Sequence, residues 1–149
     1  MSKERKQLPY SKFKQVGKKV TKKECDTLLR KLCLLKTNHK SELSGKSDTE
    51  PSIILQVHHI VGKPNYFLRY HLENCIVLTQ GEHKWGIHNP NREEEFRAKI
   101  KTVKGQDVYE KLEYLKKLKV KTQLSYIKLY LENEIKILKE KNEYQNRNK

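Results

Sequence analysis

Five of the six histidines in this chain fall between residues 58 and 88, in a protein with few other side chains of the kind that bind metals. Hydrolysis of a phosphodiester with one metal ion requires a neutral base, a cation that stabilises developing negative charge, and a group that positions the base. Neutral imidazoles serve well both as the base and as metal ligands. The cluster therefore predicts a hydrolytic metal site.

The adjacent pair His58 and His59 ends a run that is typical of a β-strand. Neighbouring side chains on a strand point to opposite faces, so one ring can bind a metal ion while the other faces the substrate. His83 follows a second predicted strand and begins a short helix. A strand-turn-helix arrangement would return His83 to the end of the first strand, where it can share a metal ion with one of the pair.

The order and spacing of His59, Asn74, His83 and His88 resemble those of the HNH endonucleases, also called ββα-metal or His-Me finger nucleases. The resemblance covers residues 52–90. It implies an α+β fold with a small ββα-metal core, made of two short antiparallel strands and a helix and embedded in flanking helices.

The resemblance also implies a role for each matching residue. His59 would be the general base, and Asn74 would hydrogen-bond the loop backbone and so orient that base. The ligands of one divalent cation (Mg²⁺, Mn²⁺, Ni²⁺ or Zn²⁺) would be His58, His83 and His88. Three imidazoles accept several cations, so the sequence leaves the choice among these open.

The longer stretch from His58 to Asn74 is similar to a phage-type branch of the family, which includes recombination nucleases of the NinG kind. In that branch Lys63 and Arg69 fall where basic side chains approach backbone phosphates, and Lys84 is a further candidate for such a contact. Solvent-facing charges are the alternative interpretation of Lys63 and Arg69. The resemblance implies cleavage of DNA, with branched or otherwise structured DNA from phage recombination as a candidate substrate.

One departure from the family concerns a structural zinc ion that many members bind with two Cys-x-x-Cys pairs. Here Ser41 and Ser44 stand at the positions of the first pair, and Thr79 and Glu82 at those of the second. Serine and threonine are not usual zinc ligands. We therefore expect that the structural zinc has been lost and that flanking helices support the core.

A second departure is the spacing of His88, which follows His83 by five residues rather than the four that align side chains on a regular helix. Gly86 and the Asn89-Pro90 pair indicate that the helix ends or loosens there. A looser turn can aim both rings at one metal ion, so His88 is retained as a ligand. For the intervening Trp85, core packing is the favoured prediction over stacking on a base.

The elements that must position these residues follow from capping signals and apolar periodicity. Thr21-x-x-Glu24 is a capping box and predicts a helix over about 22–37, followed by a loop over 38–51. Two strands joined by a long loop follow within 52–79, then a helix marked by Phe96 and Ile100. We expect a disordered basic arm over 1–21, a nuclease core over 22–104, and a C-terminal helical segment over 105–149 that frays from about 142.

The charge balance of 33 Lys+Arg against 18 Asp+Glu gives a formal charge of +15 and favours nucleic acid as the partner. No apolar run approaches the length of a membrane span. We therefore expect an intracellular protein, with a phage or prophage protein in the host cytoplasm as one case. The alternative function is a catalytically inactive ββα-fold protein that binds nucleic acid as an accessory. A discarded site, however, has no physical reason to keep four imidazoles and the asparagine.

Overall fold

The computed structural model describes residues 18–62 and 66–148. Most of the predicted basic arm and the predicted phosphate contact Lys63 therefore lie outside the described residues. The described chain is a mixture of helices and one two-stranded sheet, which agrees with the α+β prediction. Its regular elements are α1 Lys22–Lys36, β1 Leu55–His59, α2 Tyr66–Arg69, β2 Cys75–Thr79, α3 Glu93–Lys104, α4 Gln106–Lys117 and α5 Leu124–Arg147.

Helix α1 begins at the predicted capping box, which is confirmed in both directions. The Thr21 hydroxyl accepts the backbone N–H of Glu24 at 3.2 Å, and the Glu24 carboxylate accepts the backbone N–H of Thr21 at 2.8 Å. The apolar face of α1 packs against α5 in one buried cluster that also reaches the sheet. Its members include Cys25, Leu29, Leu32, Leu55, Val77, Ile127, Leu131 and Ile135.

The sheet is an antiparallel pair in which His58 lies opposite Ile76 and His59 opposite Cys75. Every residue of β2 is buried, as its unbroken apolar run suggests. The other edge of β2 is covered by Glu42, whose carboxylate accepts the N–H of Val77 at 2.7 Å and whose N–H donates to the carbonyl of Val77 at 2.9 Å. Glu42 thus bonds the N–H and C=O groups that Val77 presents at this edge of the sheet, as a third strand would.

The segment between the two strands was predicted to be a long loop, and this prediction is wrong in part. It contains the single-turn helix α2 and a 3₁₀ turn, Leu72–Asn74. Leu68 on α2 is completely buried in a second cluster, and burial of that side chain stabilises a helix too short to form by itself. That cluster also holds Ile60, Ile76, Leu78, Ile87, Phe96, Ile100 and Leu112.

A hydrogen-bonded group lies where the family resemblance would have placed the structural zinc. One carboxylate oxygen of Glu82 accepts the Ser41 hydroxyl and the backbone N–H of Thr79, each at 2.7 Å. The backbone N–H of Glu82 donates in return to the Thr79 hydroxyl at 3.1 Å. We call Ser41, Thr79 and Glu82 the carboxylate clamp, because it joins the loop after α1 to the turn after β2.

The pKa of Glu82 reflects this network. Burial by itself raises the pKa of the carboxyl, but hydrogen bonds from Ser44, Ser41 and Thr79 outweigh burial and bring the pKa below its ordinary value. Glu82 is therefore an anion at neutral pH, which lets it accept several hydrogen bonds at once.

The segment over 105–149 that is predicted to be helical forms the two helices α4 and α5. Helix α5 continues to Arg147 and so includes most of the segment from about 142 that is predicted to fray. The apolar face of α5 is held against α1 over much of its length, and this packing stabilises the helix beyond its intrinsic propensity. Among the described residues, no helix is both long and apolar enough to cross a membrane.

Candidate metal centre

The three histidines His58, His83 and His88 converge at the end of the sheet. One ring nitrogen from each lies within 4.8 Å of the other two, and together they form a group that can hold a metal ion. The Nε2 atoms of His83 and His88 are 3.2 Å apart. Two nitrogen ligands about 2.1 Å from a tetrahedral cation lie about 3.4 Å from each other, so the donor set fits a small divalent ion.

A π-helix, Glu82–Ile87, accounts for the placement of His83 and His88. The backbone N–H of His88 donates to the carbonyl oxygen of His83 at 3.2 Å, which is the i to i+5 bond of a π-helix. In this wider turn residues five apart stack on one face, as residues four apart do on an α-helix. The structure therefore brings His88 into the site despite a spacing that does not suit an α-helix.

Gly86 lets the π-helix approach α3. A Cβ atom built at residue 86 would lie 2.5 Å from two ring carbons of Phe96, closer than any real contact. Gly86 and Ile87 are both buried against the second cluster, which fixes the turn that carries His83. A glycine is needed here for close packing and not for an unusual backbone angle.

His58 is in the state that metal binding requires. Its pKa is lowered to about 4, chiefly by burial and also by the neighbouring imidazoles of His83, His88 and His59 and the guanidinium of Arg97. The ring is therefore neutral near pH 7. A neutral imidazole offers a lone pair to a cation without first losing a proton.

His59 points away from this group and is held by a backbone carbonyl. Its Nε2 lies 2.8 Å from the carbonyl oxygen of Arg69. A carbonyl can only accept, so Nε2 carries the proton and the lone pair of the neutral ring is on Nδ1. His59 also lines a groove of about 370 Å³, together with Arg30 and Arg69.

Asn74 is completely buried and bonds to the loop that follows His59. Its side-chain oxygen accepts the N–H of Val61 at 2.8 Å, and its amide nitrogen donates to the carbonyls of Val61 at 2.9 Å and Leu68 at 3.0 Å. The amide thereby ties the end of β1 to α2. These are bonds to loop backbone of the kind that the resemblance implies for this residue.

Asp26 on α1 holds the helix that carries the carbonyl partner of His59. Its two carboxylate oxygens accept Nε and Nη2 of Arg69 at 2.9 and 2.7 Å, and one of them also accepts the Tyr70 hydroxyl at 3.0 Å. Sequence reasoning missed Asp26, because its partner lies 43 residues away and no local pattern marks the pair. It also missed Arg30, whose guanidinium donates to the carbonyl of Leu55 at 2.8 Å.

The described residues that are predicted to contact nucleic acid, Arg69 and Lys84, lie in two different places. Arg69 lies in the His59 groove, but two of its N–H groups are bonded to Asp26. Lys84 is exposed on the π-helix, with its Nζ 4.9 Å from the centre of the Trp85 ring. Trp85 is 62% exposed, so the prediction that it packs in the core is wrong. The π-helix turns residues 84 and 85 outward while it buries 86 and 87.

Comparison of the chain with protein-family models, with curated proteins and with solved structures found no match. The resemblance to HNH endonucleases is therefore a resemblance of residue types and spacing.

Proposed function

We propose that this protein is a metal-dependent HNH endonuclease that hydrolyses phosphodiester bonds in DNA. The observation that carries the proposal is that the two adjacent histidines at the end of β1 have different partners. His58 joins His83 and His88 in a group of converging nitrogens, while the adjacent His59 is oriented separately by the Arg69 carbonyl. A ββα-metal core made of β1, β2 and the π-helix is part of the same proposal.

In this mechanism His59 is the general base. Its Nδ1 takes a proton from the attacking water, because Nε2 is already committed as a donor to the Arg69 carbonyl. The same hydrogen bond stabilises the imidazolium that forms, since the carbonyl dipole favours positive charge on the ring. Asn74 holds the loop between His59 and α2 and so preserves the position of the base.

The roles of the other three histidines follow from their chemistry as neutral nitrogen ligands. His58, His83 and His88 would bind one divalent cation, which supplies positive charge to the oxygen that leaves the scissile phosphate. Imidazole ligands favour Zn²⁺ or Ni²⁺ over Mg²⁺ and Mn²⁺, which prefer oxygen.

The surface around the two histidine sites carries groups suited to a polyanion. Arg97 on α3 is close enough to His58 to lower its pKa, and Lys84 and the exposed indole of Trp85 extend from the π-helix between His83 and His88. Cations attract the phosphates, and an exposed indole offers a stacking surface for a base. The formal charge of +15 acts in the same direction over longer range.

Nicking of supercoiled plasmid tests the proposal. The wild-type protein is incubated with Mg²⁺, Mn²⁺, Ni²⁺ or Zn²⁺ in turn, beside His59→Ala and the control His39→Ala, whose ring bonds to Asp48 instead. We expect metal-dependent nicking that falls at least about 100-fold in His59→Ala, as for loss of a general base, and stays unchanged in His39→Ala. Binding of DNA without nicking under any of the four metals would instead support an inactive accessory protein.

Metal content tests the ligands independently of turnover. We expect one ion per chain after purification with metal and buffer exchange, and a much lower content for His58→Ala, His83→Ala and His88→Ala. His59→Ala should retain the ion, because its ring is not one of the three. Equal content in all four variants would overturn the assignment of the ligands.

A further inference from the structure

A cleft lined by aromatic rings lies between α2 and α5, apart from the histidine sites. It has a volume of about 570 Å³. We call it the aromatic cleft and define it by the rings of Tyr66, Phe67, Tyr126 and Tyr130 and the two lysines Lys36 and Lys111. Neither the proposed metal centre nor the His59 groove uses these residues.

The rings of the cleft remain open to a ligand. Tyr126 and Tyr130, one turn apart on α5, are 66% and 47% exposed, and Tyr66 and Phe67 across the cleft are half-buried. Large aromatic side chains usually bury most of their surface in a domain core. Flat rings that are exposed on one wall of a cleft and half-buried on the other form a surface on which a planar group can stack.

The charges at the cleft select for an anionic planar ligand. Lys36 and Lys111 lie in its lining, and Lys22 places its Nζ 5.4 Å from the centre of the Tyr66 ring. Glu73, which also lines the cleft, pairs with Lys111 at 2.8 Å and offsets its charge, so the positive charge at the cleft comes from Lys36 and Lys22. Aromatic faces combined with cations are the common features of sites that bind single-stranded nucleic acid, where bases stack and phosphates meet lysine or arginine.

Helix α2 connects the cleft to the proposed base. Tyr66, at the start of this helix, lines the cleft, and Arg69, at its end, offers its carbonyl to His59. Three residues of helix span about 5 Å along the axis. Helix α2 therefore borders the aromatic cleft at one end and the His59 groove at the other.

We infer that the aromatic cleft binds an unpaired nucleobase of the nucleic-acid strand. The inference rests on the nucleic-acid part of the proposed function and is independent of cleavage. It gives the protein a preference for DNA that has single-stranded or unpaired positions. Because every base has a flat face, the cleft selects for unpaired structure and not for sequence.

Binding measurements with EDTA, which prevents metal-dependent cleavage, test the inference on the full chain. Fluorescence anisotropy compares a labelled 12-nucleotide single strand with the same sequence as a fully paired duplex. Tyr126→Ala and Tyr130→Ala should each weaken single-strand binding by about fivefold or more, as expected for loss of one stacking contact, and change duplex binding less than about twofold. Tyr144→Ala is the matched control, since this tyrosine is on the same helix and 71% exposed but outside the cleft.

A salt series separates the stacking groups from the cations. Lys36→Gln should reduce the slope of log K against log salt for the single strand by about 0.7, the value for loss of one phosphate contact. Tyr126→Ala should leave that slope unchanged. A lowered slope in Tyr126→Ala, or an unchanged one in Lys36→Gln, would overturn the assigned roles.

Four results would overturn the inference as a whole. Wild-type affinity of both tyrosine variants for the single strand would do so, as would an equal loss for single strand and duplex. Sedimentation velocity that shows a wild-type dimer, dissociated by Tyr126→Ala, would assign the cleft to a second copy of the chain. Failure of the wild-type protein to bind either DNA would overturn both the inference and the proposed function. Normal nicking by the wild type, together with wild-type affinity of the tyrosine variants for the single strand, would overturn only the role assigned to the cleft.

Discussion

The backbone N–H of His88 donates to the carbonyl oxygen of His83, five residues earlier, at 3.2 Å. This one bond places two imidazoles on the same face of a turn although their spacing does not suit an α-helix. The Nε2 atoms of the two rings come to 3.2 Å from each other as a result. The capacity of the site to hold a metal ion therefore depends on the π-helix as much as on the histidines themselves.

Gly86→Ala should damage the site without touching a ligand. The added methyl group would overlap the Phe96 ring, so the π-helix must shift or unwind. We expect a loss of about 1–3 kcal/mol in the free energy of unfolding and at least about tenfold weaker metal binding, measured by urea denaturation and by calorimetric titration. Gly81→Ala is the control, because its Cβ would meet only the Thr79 hydroxyl at an ordinary 3.8 Å. Unchanged metal affinity in Gly86→Ala would contradict this account of the turn.

Asp26→Asn should impair catalysis through the position of His59. The carboxylate holds the Arg69 guanidinium at two points, and the Arg69 carbonyl in turn binds Nε2 of His59. We expect kcat to fall by about 10- to 100-fold while KM changes little, because a shift of about 1 Å in a positioned base has effects of this order. Metal content should stay normal.

The control for this experiment is Asp48→Asn, which alters the 2.9 Å contact with His39 and lies outside the chain of hydrogen bonds from Asp26 through Arg69 to His59. Nitrogen NMR of His59 reports the tautomer of its ring, which a general loss of stability would not change. The ring should lose the single tautomer with its proton on Nε2 in Asp26→Asn and keep it in Asp48→Asn. A normal tautomer together with reduced kcat would exclude the positioning role.

The features that sequence reasoning predicted correctly are those determined by near neighbours. The capping box of α1 needs only residues 21 and 24, and runs of β-branched and apolar residues indicate the two strands. The convergence of His58 and His83 follows once two strands are joined as an antiparallel pair. For the capping box and the strands, the residues that form the sequence pattern also make the contacts that produce the element.

The features that the sequence did not reveal depend on contacts between distant segments. Helix α2 has one turn and no periodicity, and it is held by buried Leu68 and by Asp26 from α1. The sequence indicates a looser turn near Gly86, but that this turn is a π-helix depends on how closely Gly86 approaches Phe96, which no helical pattern encodes. The exposure of Trp85 follows from the same turn, because a π-helix presents different residues to solvent than a regular helix does.

Glu82→Ala should destabilise the protein by removing the shared acceptor of the carboxylate clamp. The Ser41 hydroxyl and the Thr79 N–H, both on buried residues, would lose their partner. A buried donor left without an acceptor costs about 1–3 kcal/mol, so we expect a loss of that size in urea denaturation. Glu94→Ala, an exposed glutamate in the first turn of α3, should cost less than about 0.5 kcal/mol. Equal effects of the two substitutions would show that the clamp does not support the fold.

The free energy of unfolding of the metal-free protein should depend on pH through His58. Its pKa is about 4 in the folded protein against 6.5 for the unfolded reference, so between these values the unfolded chain binds more protons. The stability linked to this residue is therefore complete above pH 6.5 and declines as the pH falls toward 4. A shift of this size amounts to about 2 kcal/mol between pH 7 and pH 4.5.

Urea denaturation in EDTA at both pH values measures this contribution. His58→Gln, which cannot titrate, should lose about 2 kcal/mol less than the wild type over the same interval. Carboxylates such as Glu82 also lose favourable interactions in acid, but they do so equally in the wild type and in the variant. The difference between His58→Gln and the wild type therefore isolates the buried imidazole, and parallel pH curves for the two would mean that His58 is not held neutral by its surroundings.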